Sequence, residues 1–294
     1  MSVTKQTVWD KEGERWLENG TRHGTLFTPG ATPAANPSTS EEWSKKFYGT
    51  ASAWNGITAV TETPGGAEAN DVYADDIKYA TLRSAETFGG TIEAFTYPDE
   101  WAKCDGSYSD NNALGVNFGQ QTREKFGFSF ESQVFNDTNT DADDDEKLHL
   151  WYGCSASPSD RSYATINDSP EGISFSWEIS SIPISIEDKV ALSDVPKKSI
   201  STITIQKNTT FKAQVAITGL GLAVDSRARY EVLKLILAGY RIGSSDAVAG
   251  RLPYPDEVYN LFRYGFTVDS TTGTISIRTA DSTGTSDDVA PTNP

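Results

Sequence analysis

Apolar and polar residues alternate along much of this chain, and this two-residue period restricts its fold more than any other feature. The alternation is clear in residues 57–61, 91–95 and 126–130. Successive side chains of a β-strand point to opposite faces, so this period predicts strands with one packed face and one wetted face. Further runs with the same character are 148–153, 173–186, 200–205, 211–217 and 274–278. Helical stretches between these runs are too few for βαβ units, so we expect a mainly β, antiparallel fold.

Two helices are predicted, both in the C-terminal third of the chain. Residues 229–238 carry a broad apolar stripe and end before Gly239, a residue type that commonly follows a helix C-terminus. Residues 255–262 begin with a proline and two acidic residues, which suit the first turn of a helix. Residues 28–40 are rich in Pro, Ala, Thr and Ser and predict a long loop, and residues 281–294 predict a polar tail.

The charge balance argues against one class of function. The 294 residues include 41 acidic and 25 basic side chains, which gives a formal charge of −16. Binding nucleic acid by charge neutralisation needs a surface of Lys and Arg, so the acidic balance argues against it. No run approaches the roughly 18–20 apolar residues of a membrane span, and the N-terminus lacks a signal-peptide pattern. We therefore expect a protein that is made, and at first retained, in a cytoplasm.

Cysteine and histidine give no pattern for a redox or zinc site. Cys104 and Cys154 are the only cysteines, which fits a reducing compartment, and we expect both to be buried thiols. His23 and His149 are far apart in sequence and have no second ligand at zinc spacing.

The most conspicuous acidic run is residues 136–146. An EF-hand loop that began at Asp137 would have Ala142 in place of the turn glycine and Leu148 in place of the closing glutamate. The calcium motif therefore fails, and the run predicts a solvated loop between two strands of a hairpin. An irregular cation site and a functional electrostatic surface are the alternatives.

An enzyme or a sugar-binding protein remains an alternative. A glycosidase could use Glu93 with Glu131 or Glu178, but nothing in the sequence fixes the separation of these carboxylates. Aromatic rings that could stack on sugars are Trp54, Trp101, Trp151 and Trp177. A carbohydrate-binding β-sandwich of a virion or secreted protein is thus the second hypothesis, and a glycosidase is the third. Hydrolase elbows, phosphate-cradling loops and Rossmann fingerprints do not occur in the sequence.

Several separate blocks between Val8 and Ile186 resemble one known family, in collinear order. They include Trp9-Asp10-Lys11, Ala53-Trp54-Asn55-Gly56-Ile57, Gly66-Ala67-Glu68, Tyr73-Ala74-Asp75, Ile92-Glu93-Ala94-Phe95-Thr96-Tyr97-Pro98-Asp99-Glu100, Tyr163-Ala164-Thr165-Ile166-Asn167-Asp168-Ser169-Pro170-Glu171 and Phe175-Ser176-Trp177-Glu178. On these blocks the chain resembles the major tail protein (tail tube protein) family of long-tailed bacteriophages. A weaker similarity returns at residues 252–258.

This resemblance implies an antiparallel β-sandwich or half-barrel subunit with one or two flanking helices. It also implies that hexameric rings of the subunit stack into a hollow conduit, through which double-stranded DNA passes from the capsid to the host cell. The implied partners are further copies of the chain, the tape-measure protein, and the tail terminator and distal tail proteins. The implied location is the virion tail, assembled in the host cytoplasm. The family has no catalytic residues to carry over, and we expect no cofactor, no metal and no membrane contact.

The same resemblance suggests a domain division. We expect a tail tube domain over residues 1–263 and a C-terminal extension over 264–294, formed as an ordered hairpin or a tail. An insert at about 28–46 and the stretch 207–228 have no counterpart that can be recognised in the family.

A conduit for DNA should repel its cargo, because a duplex carries one negative charge about every 1.7 Å along its axis. Acidic side chains on the wall would act over about 8–10 Å at physiological salt. We expect wetted strand positions to supply this charge, and the candidates are Glu93, Glu131 and Glu178. The competing interpretation is an ordinary acidic outer surface that keeps the protein soluble.

Residues 61–76 form a long connection that we expect to reach the adjacent ring, since long connections in compact domains are usually functional. Its singled-out residues are Pro64, Gly65, Gly66, Glu68, Asp71 and Asp75. A flexible hairpin without a partner is the alternative.

Overall fold

The structure, a computed structural model, describes Glu12 and residues 15–31, 35–109, 115–137, 146–161, 172–185, 199–207, 226–242, 246–269 and 272–279. The predicted mainly β, antiparallel fold is confirmed. The strands are β1 (Trp16–Thr28), β2 (Thr50–Trp54), β3 (Ile57–Glu62), β4 (Gly65–Gly66), β5 (Ala69–Ala74), β6 (Ile77–Arg83), β7 (Glu86–Thr87), β8 (Gly89–Ala94), β9 (Tyr108–Ser109), β10 (Asn117–Phe118), β11 (Phe126–Asn136), β12 (Glu146–Ala156), β13 (Phe175–Ser181), β14 (Ile184–Ser185), β15 (Ser199–Ile200), β16 (Thr202–Gln206), β17 (Gly239–Tyr240), β18 (Val248–Ala249), β19 (Phe266–Val268) and β20 (Ile275–Ile277). The helices are α1 (Ser40–Tyr48), α2 (Trp101–Asp105), α3 (Ser226–Ala238) and α4 (Pro255–Tyr264).

An eight-stranded sheet organises the molecule. Its order is β2-β1-β11-β12-β13-β8-β3, and β16 pairs with β12 off this path. The first half of β12 pairs with β16 and its last three residues pair with β13, with Gly153 (φ 62°) between the two ladders. The last strand of the path, β3, folds back onto β1 near the first end, since a Cβ atom on Gly24 in β1 would collide with the Ile57 side chain of β3. The sheet therefore curls into a half-barrel.

The interior of the half-barrel is one of two cores and is rich in aromatic rings. Trp101 of α2 closes it by contacting Trp54, Phe126 and Trp177, with ring centroids 4.5, 4.9 and 5.3 Å away. Such edge-to-face and tilted contacts are favourable, and truncating one of these rings to alanine should cost about 3–5 kcal/mol. Cys104 and Cys154 lie in this core, so the prediction of two buried thiols is confirmed. Burial raises the pKa of Cys104 to about 12.

The second core lies on the other side of the sheet. There side chains of β1, β12 and β16 pack against α1, α3, α4 and the β19–β20 hairpin. The predicted helices over 229–238 and 255–262 are present as α3 and α4. Phe266 and Ile275 of the hairpin are buried in the same core. The described part of the C-terminal extension thus packs on the body of the protein as a hairpin.

Helix α1 was not predicted and occupies part of the 28–46 insert. The Thr39 side chain accepts a hydrogen bond from the backbone N–H of Glu42, and the Glu42 carboxylate accepts one from the backbone of Thr39, which forms a capping box. Arg251, just before α4, links α4 to α1: it donates to both oxygens of Glu257 in α4 at 2.8 and 2.9 Å and to the Ser44 hydroxyl of α1 at 2.8 Å. The bidentate pair orients the guanidinium, which places its remaining N–H group on α1.

Some predictions fall outside the described residues. These are the strand at 211–217, most of the stretch 207–228, and the tail at 281–294. The acidic run at 136–146 joins the antiparallel strands β11 and β12, and its residues 138–145 also lie outside the described part. No helix in the described part of the chain is long and apolar enough to cross a bilayer.

Candidate functional site

Two of the three predicted lumen-facing acids lie on one exposed surface of strands β3, β8 and β13. This surface points away from the half-barrel core, and we call it the outer face. Glu93 is paired with Ser176, and Glu178 is paired with Thr91. Opposite residues of an antiparallel ladder share a face, so both glutamates lie on the same side, as diagonal neighbours. Both are exposed, while the intervening Trp177 points into the half-barrel core. The structure thus brings Glu93 and Glu178 together.

The other side chains of the outer face are short and mostly hydroxylic. They include Thr61, Thr91, Ser176 and Ser180. None of the three strands contains Lys or Arg. The outer face therefore has negative charge that its own strands do not neutralise.

Glu131 is a different case, and its prediction as a wetted lumen-facing position is wrong. Its side chain is only 4% exposed and lies 2.9 Å from Lys234 Nζ and 2.7 Å from His23 Nδ1. The physical reason is that α3, which carries Lys234, packs over this part of β11. The strand is therefore covered on both faces, and the carboxylate is surrounded by basic groups.

Glu131 belongs to a charge cluster, which we call the clamp, between the sheet and α3. Glu146 of β12 contacts Arg22 at 2.7 Å and Lys234 at 3.1 Å. Burial would favour the neutral acid, but Lys234, Lys207 and Arg22 outweigh it and lower the pKa of Glu146. Burial alone would lower the pKa of Lys234, but its contacts with Glu131 and Glu146 outweigh this effect and raise the pKa. The clamp is charged at neutral pH and holds α3 on the sheet.

A second polar network lies on the inner side of the sheet around His149. Ser132 donates its hydroxyl proton to Glu18 at 2.6 Å and lies 3.0 Å from His149 Nε2. Because the serine proton is committed to the carboxylate, Nε2–H must be the donor to the serine oxygen. The imidazole stacks on Phe130 with the ring centroids 4.5 Å apart. Burial lowers the pKa of His149, and the carboxylates of Glu62 and Glu18 only partly oppose this effect.

The predicted inter-ring segment forms half of a projecting two-stranded ribbon. The chain leaves the sheet at the end of β3, runs through β4 and β5, turns at Asp75-Asp76 and returns through β6 and β7 to β8. We call residues 63–88 the arm. Both turn residues have positive φ, 51° and 60°, as in the two-residue turns that join hairpin strands. From residue 63 to the turn the arm can span about 40 Å at 3.3 Å per residue.

Most of the singled-out residues of this segment have structural roles within the arm. Gly65 and Gly66 pair with Thr87 and Glu86 at its base. The Glu68 carbonyl accepts the backbone N–H of Ser84 at 3.1 Å. Asp71 contacts Lys78 at 2.7 Å across the two strands. Pro64 lies between β3 and β4, and Asp75 is at the exposed tip.

Sequence reasoning missed the apolar face of the arm. Pairing of Asn70 with Leu82, Val72 with Ala80 and Ala74 with Ile77 aligns these side chains on one face. Leu82, Val72 and Ile77 are all exposed, as is Tyr79 at the bulge between the two registers, which is 74% exposed. The signal was present as alternation in residues 70–82, but the Pro-Gly-Gly sequence before it indicated a loop.

The geometry gives little support to the carbohydrate-binding and glycosidase alternatives. Trp54, Trp101, Trp151 and Trp177 are at most 3% exposed, so none of the four can stack on a sugar. Of the two carboxylate pairs considered for a glycosidase, Glu93 and Glu131 lie on different parts of the sheet, one exposed and one under α3, and do not form a pair. Glu93 and Glu178 are diagonal neighbours, but both are exposed on the open face of their strands. Within the described ranges no group of three or more His, Cys, Asp or Glu side chains is placed to hold a metal ion.

Comparisons with known proteins identify no family for this chain. No protein-family model matches the chain, and no curated protein matches it either.

Proposed function

We propose that this protein is the structural subunit of a bacteriophage tail tube, in which hexameric rings stack into a hollow conduit for double-stranded DNA. The observation that carries the proposal is the outer face, with Glu93 and Glu178 set among short hydroxyl side chains and no basic residue in its strands. The collinear sequence blocks point the same way, and the half-barrel is of the type that the resemblance implies.

The outer face suits a wall past which DNA must slide. Arg and Lys hold phosphates by charge-assisted hydrogen bonds, and such contacts would retard the duplex. Carboxylates repel it within a Debye length of about 8 Å. Serine and threonine keep the surface wetted without extending towards the cargo. In this proposal the outer face lines the bore, and the clamp stabilises the subunit by holding α3 on the neighbouring strands β11 and β12.

The arm suits the connection between stacked rings. An isolated two-stranded ribbon is only marginally stable in water, so a projecting ribbon with an exposed apolar face is expected to dock. The tape-measure protein inside the tube, and the terminator and distal tail proteins at its ends, are proposed as the other partners. The proposed location is the virion tail.

Electron microscopy of the purified protein tests the proposal. We expect negative-stain images of concentrated protein, or of protein given a tail-tip initiator, to contain hollow stacked rings with sixfold end views. Monodisperse globular particles under all conditions, together with signal on a glycan array, would instead support the carbohydrate-binding alternative.

A further inference from the structure

The two chains at the root of the arm both contact one side chain of strand β12, Trp151. Its indole N–H donates to the carboxylate of Glu62, the last residue before the arm, at 2.9 Å. Its ring meets Phe88, the last residue of the arm, edge to face with the centroids 5.2 Å apart. Strands β13 and β8 separate β12 from β3 in the sheet, so the contact with Glu62 crosses the interior of the half-barrel. The root of the arm is therefore attached to the far wall.

The same Glu62 carboxylate lies beside His149, two residues before Trp151 in β12. Glu62 Oε1 is 3.8 Å from His149 Nδ1. The proton of the neutral imidazole is on Nε2, where it bonds to Ser132, so Nδ1 presents a lone pair. The hydroxyl of Thr204 lies 3.5 Å from the same nitrogen and can donate to it. In the neutral state the ring therefore offers the carboxylate no proton.

Protonation of the imidazole reverses the character of this contact. The second proton binds at Nδ1, and the new N–H group then faces the carboxylate of Glu62. A charged N–H donor and a carboxylate form a strong hydrogen bond at about 2.7–2.9 Å, which is about 1 Å shorter than the separation in the structure. The Glu62 side chain is 38% exposed, so it has room to make this movement.

Two further charged side chains lie around the imidazole. Glu18 of β1 is 3.3 Å from Nε2 and also binds Lys147 of β12. Glu18 favours the charged ring, and Lys147 opposes it. The neutral neighbours are Ser132 and Phe130 of β11 and Thr204 of β16. Glu18 already accepts hydrogen bonds from Lys147 and Ser132, so Glu62 is the carboxylate that the new N–H group can engage.

We propose that His149 and Glu62 form a proton-operated latch at the root of the arm, which closes when the imidazole becomes charged. The closed latch adds an ion pair to the hydrogen bond from Trp151 and restricts the movement of the arm relative to the half-barrel. Loss of the proton opens the latch and leaves the Trp151 contacts in place. The latch lies within a single subunit, so it does not depend on the formation of tubes.

Acid should act in opposite directions on the body and on the arm. Burial makes the charged imidazole unfavourable in the folded protein, so the free energy of unfolding falls as the pH falls. The latch, in contrast, makes the arm less mobile over the same range of pH. A general loosening of the protein in acid would make the arm more mobile, so the two effects can be told apart.

A pair of spin labels measures the movement of the arm relative to the body. The labels are attached to Tyr79→Cys on the arm and Ser180→Cys on the outer face, both at exposed positions. The native cysteines are fully buried and should not take up label. Pulsed electron paramagnetic resonance gives the width of the distance distribution between the labels. The pH is lowered in steps from about 7.5 until NMR signals of the His149 ring report the charged form.

We expect the distance distribution to become narrower as His149 becomes charged. The matched variant Glu62→Gln keeps an acceptor for the Trp151 N–H but has no charge, and His149→Gln takes up no proton. In both variants the width should not decrease with falling pH. Narrowing that persists in either variant, or a wild-type width that does not decrease, would overturn the latch. Unfolding of the wild type before His149 becomes charged would overturn it as well.

Discussion

Glu131 and Glu178 illustrate at the scale of single residues how burial changes the role of a carboxylate. Both alternate with apolar neighbours in sequence, yet Glu131 contacts Lys234 and His23 under α3, and Glu178 is exposed on the outer face. A buried carboxylate among cations is structural, because its removal leaves their charge uncompensated. An exposed one contributes to surface potential.

The first prediction follows from this contrast. Glu131→Gln should lower the free energy of unfolding by about 3 kcal/mol, since one partner of a buried ionic cluster is lost. The matched variant Glu178→Gln should leave that free energy unchanged within error. Urea denaturation followed by tryptophan fluorescence measures both. Equal stabilities of the two variants would show that the clamp does not hold α3.

The second prediction concerns His149, whose pKa in the folded protein is lowered by burial from the ordinary value of 6.5. As the pH falls below 6.5, His149 becomes protonated in the unfolded chain but stays neutral in the folded protein, so the free energy of unfolding decreases. The loss continues until the pH reaches the folded pKa. Glu18 and Glu62 face the imidazole and limit the loss, and Lys147 increases it.

Unfolding free energies measured from about pH 7.5 to about pH 5.5 should therefore decline less steeply in His149→Gln than in the wild type. His23 and the carboxylates of the clamp are common to both proteins and cancel in the comparison. Identical slopes would contradict the assignment of a buried, neutral His149.

At the scale of elements, the arm is separable from the body. None of residues 61–87 contributes to either hydrophobic core. Replacing residues 66–86 with Asn-Gly, a sequence favoured in hairpin turns, should therefore leave a folded protein with an unchanged melting temperature. The shortened protein should form no tubes, because the proposed contact between rings is lost.

Circular dichroism and negative-stain microscopy check the two halves of this third prediction. The control replaces only Asp76 with Gly, which keeps the ribbon and relieves the positive φ at the turn. Tubes of normal length from the shortened protein would exclude the arm as the connection between rings.

Sequence patterns predicted some elements well and others poorly, for physical reasons. Strands such as β8, β11 and β13 place every second side chain in the half-barrel core, so the alternation of apolar and polar residues was visible in the sequence. Strand β1 was missed because two register irregularities interrupt its ladder near Arg22 and break the period. Helix α1 was missed because residues 28–40, which lead into it, have the composition of a loop. Thr39 and Glu42 nevertheless have the spacing of a capping box.

The candidate site was predictable only in part. Alternation identified Glu93, Glu131 and Glu178 as outward-facing in their strands. It could not reveal that α3, far along the chain, covers β11 and leaves β8 and β13 open. That difference depends on contacts between distant segments, which no local pattern records.

At the scale of the whole molecule, charge is distributed according to function in our account. The basic residues of the clamp neutralise buried acids, and the outer face has none in its strands. The overall charge of −16 keeps free subunits apart until they meet a growing end.

The fourth prediction tests the outer face as the wall of the bore. Tubes of Glu93→Lys/Glu178→Lys should retain double-stranded DNA at low salt and release it as salt rises, because phosphate binding depends on counterion release. Tubes of Glu93→Gln/Glu178→Gln, which lose the charge without reversal, should retain little. Co-sedimentation with labelled DNA measures the difference. Equal retention by both variants would exclude these residues from the bore.

The most direct test is a cross-section of the assembled protein by cryo-electron microscopy. Our account predicts a hollow cylinder of hexameric rings whose bore is lined by β3, β8 and β13, with Glu93 and Glu178 facing the cavity. A solid filament, or a bore lined mainly by lysine and arginine, would contradict it.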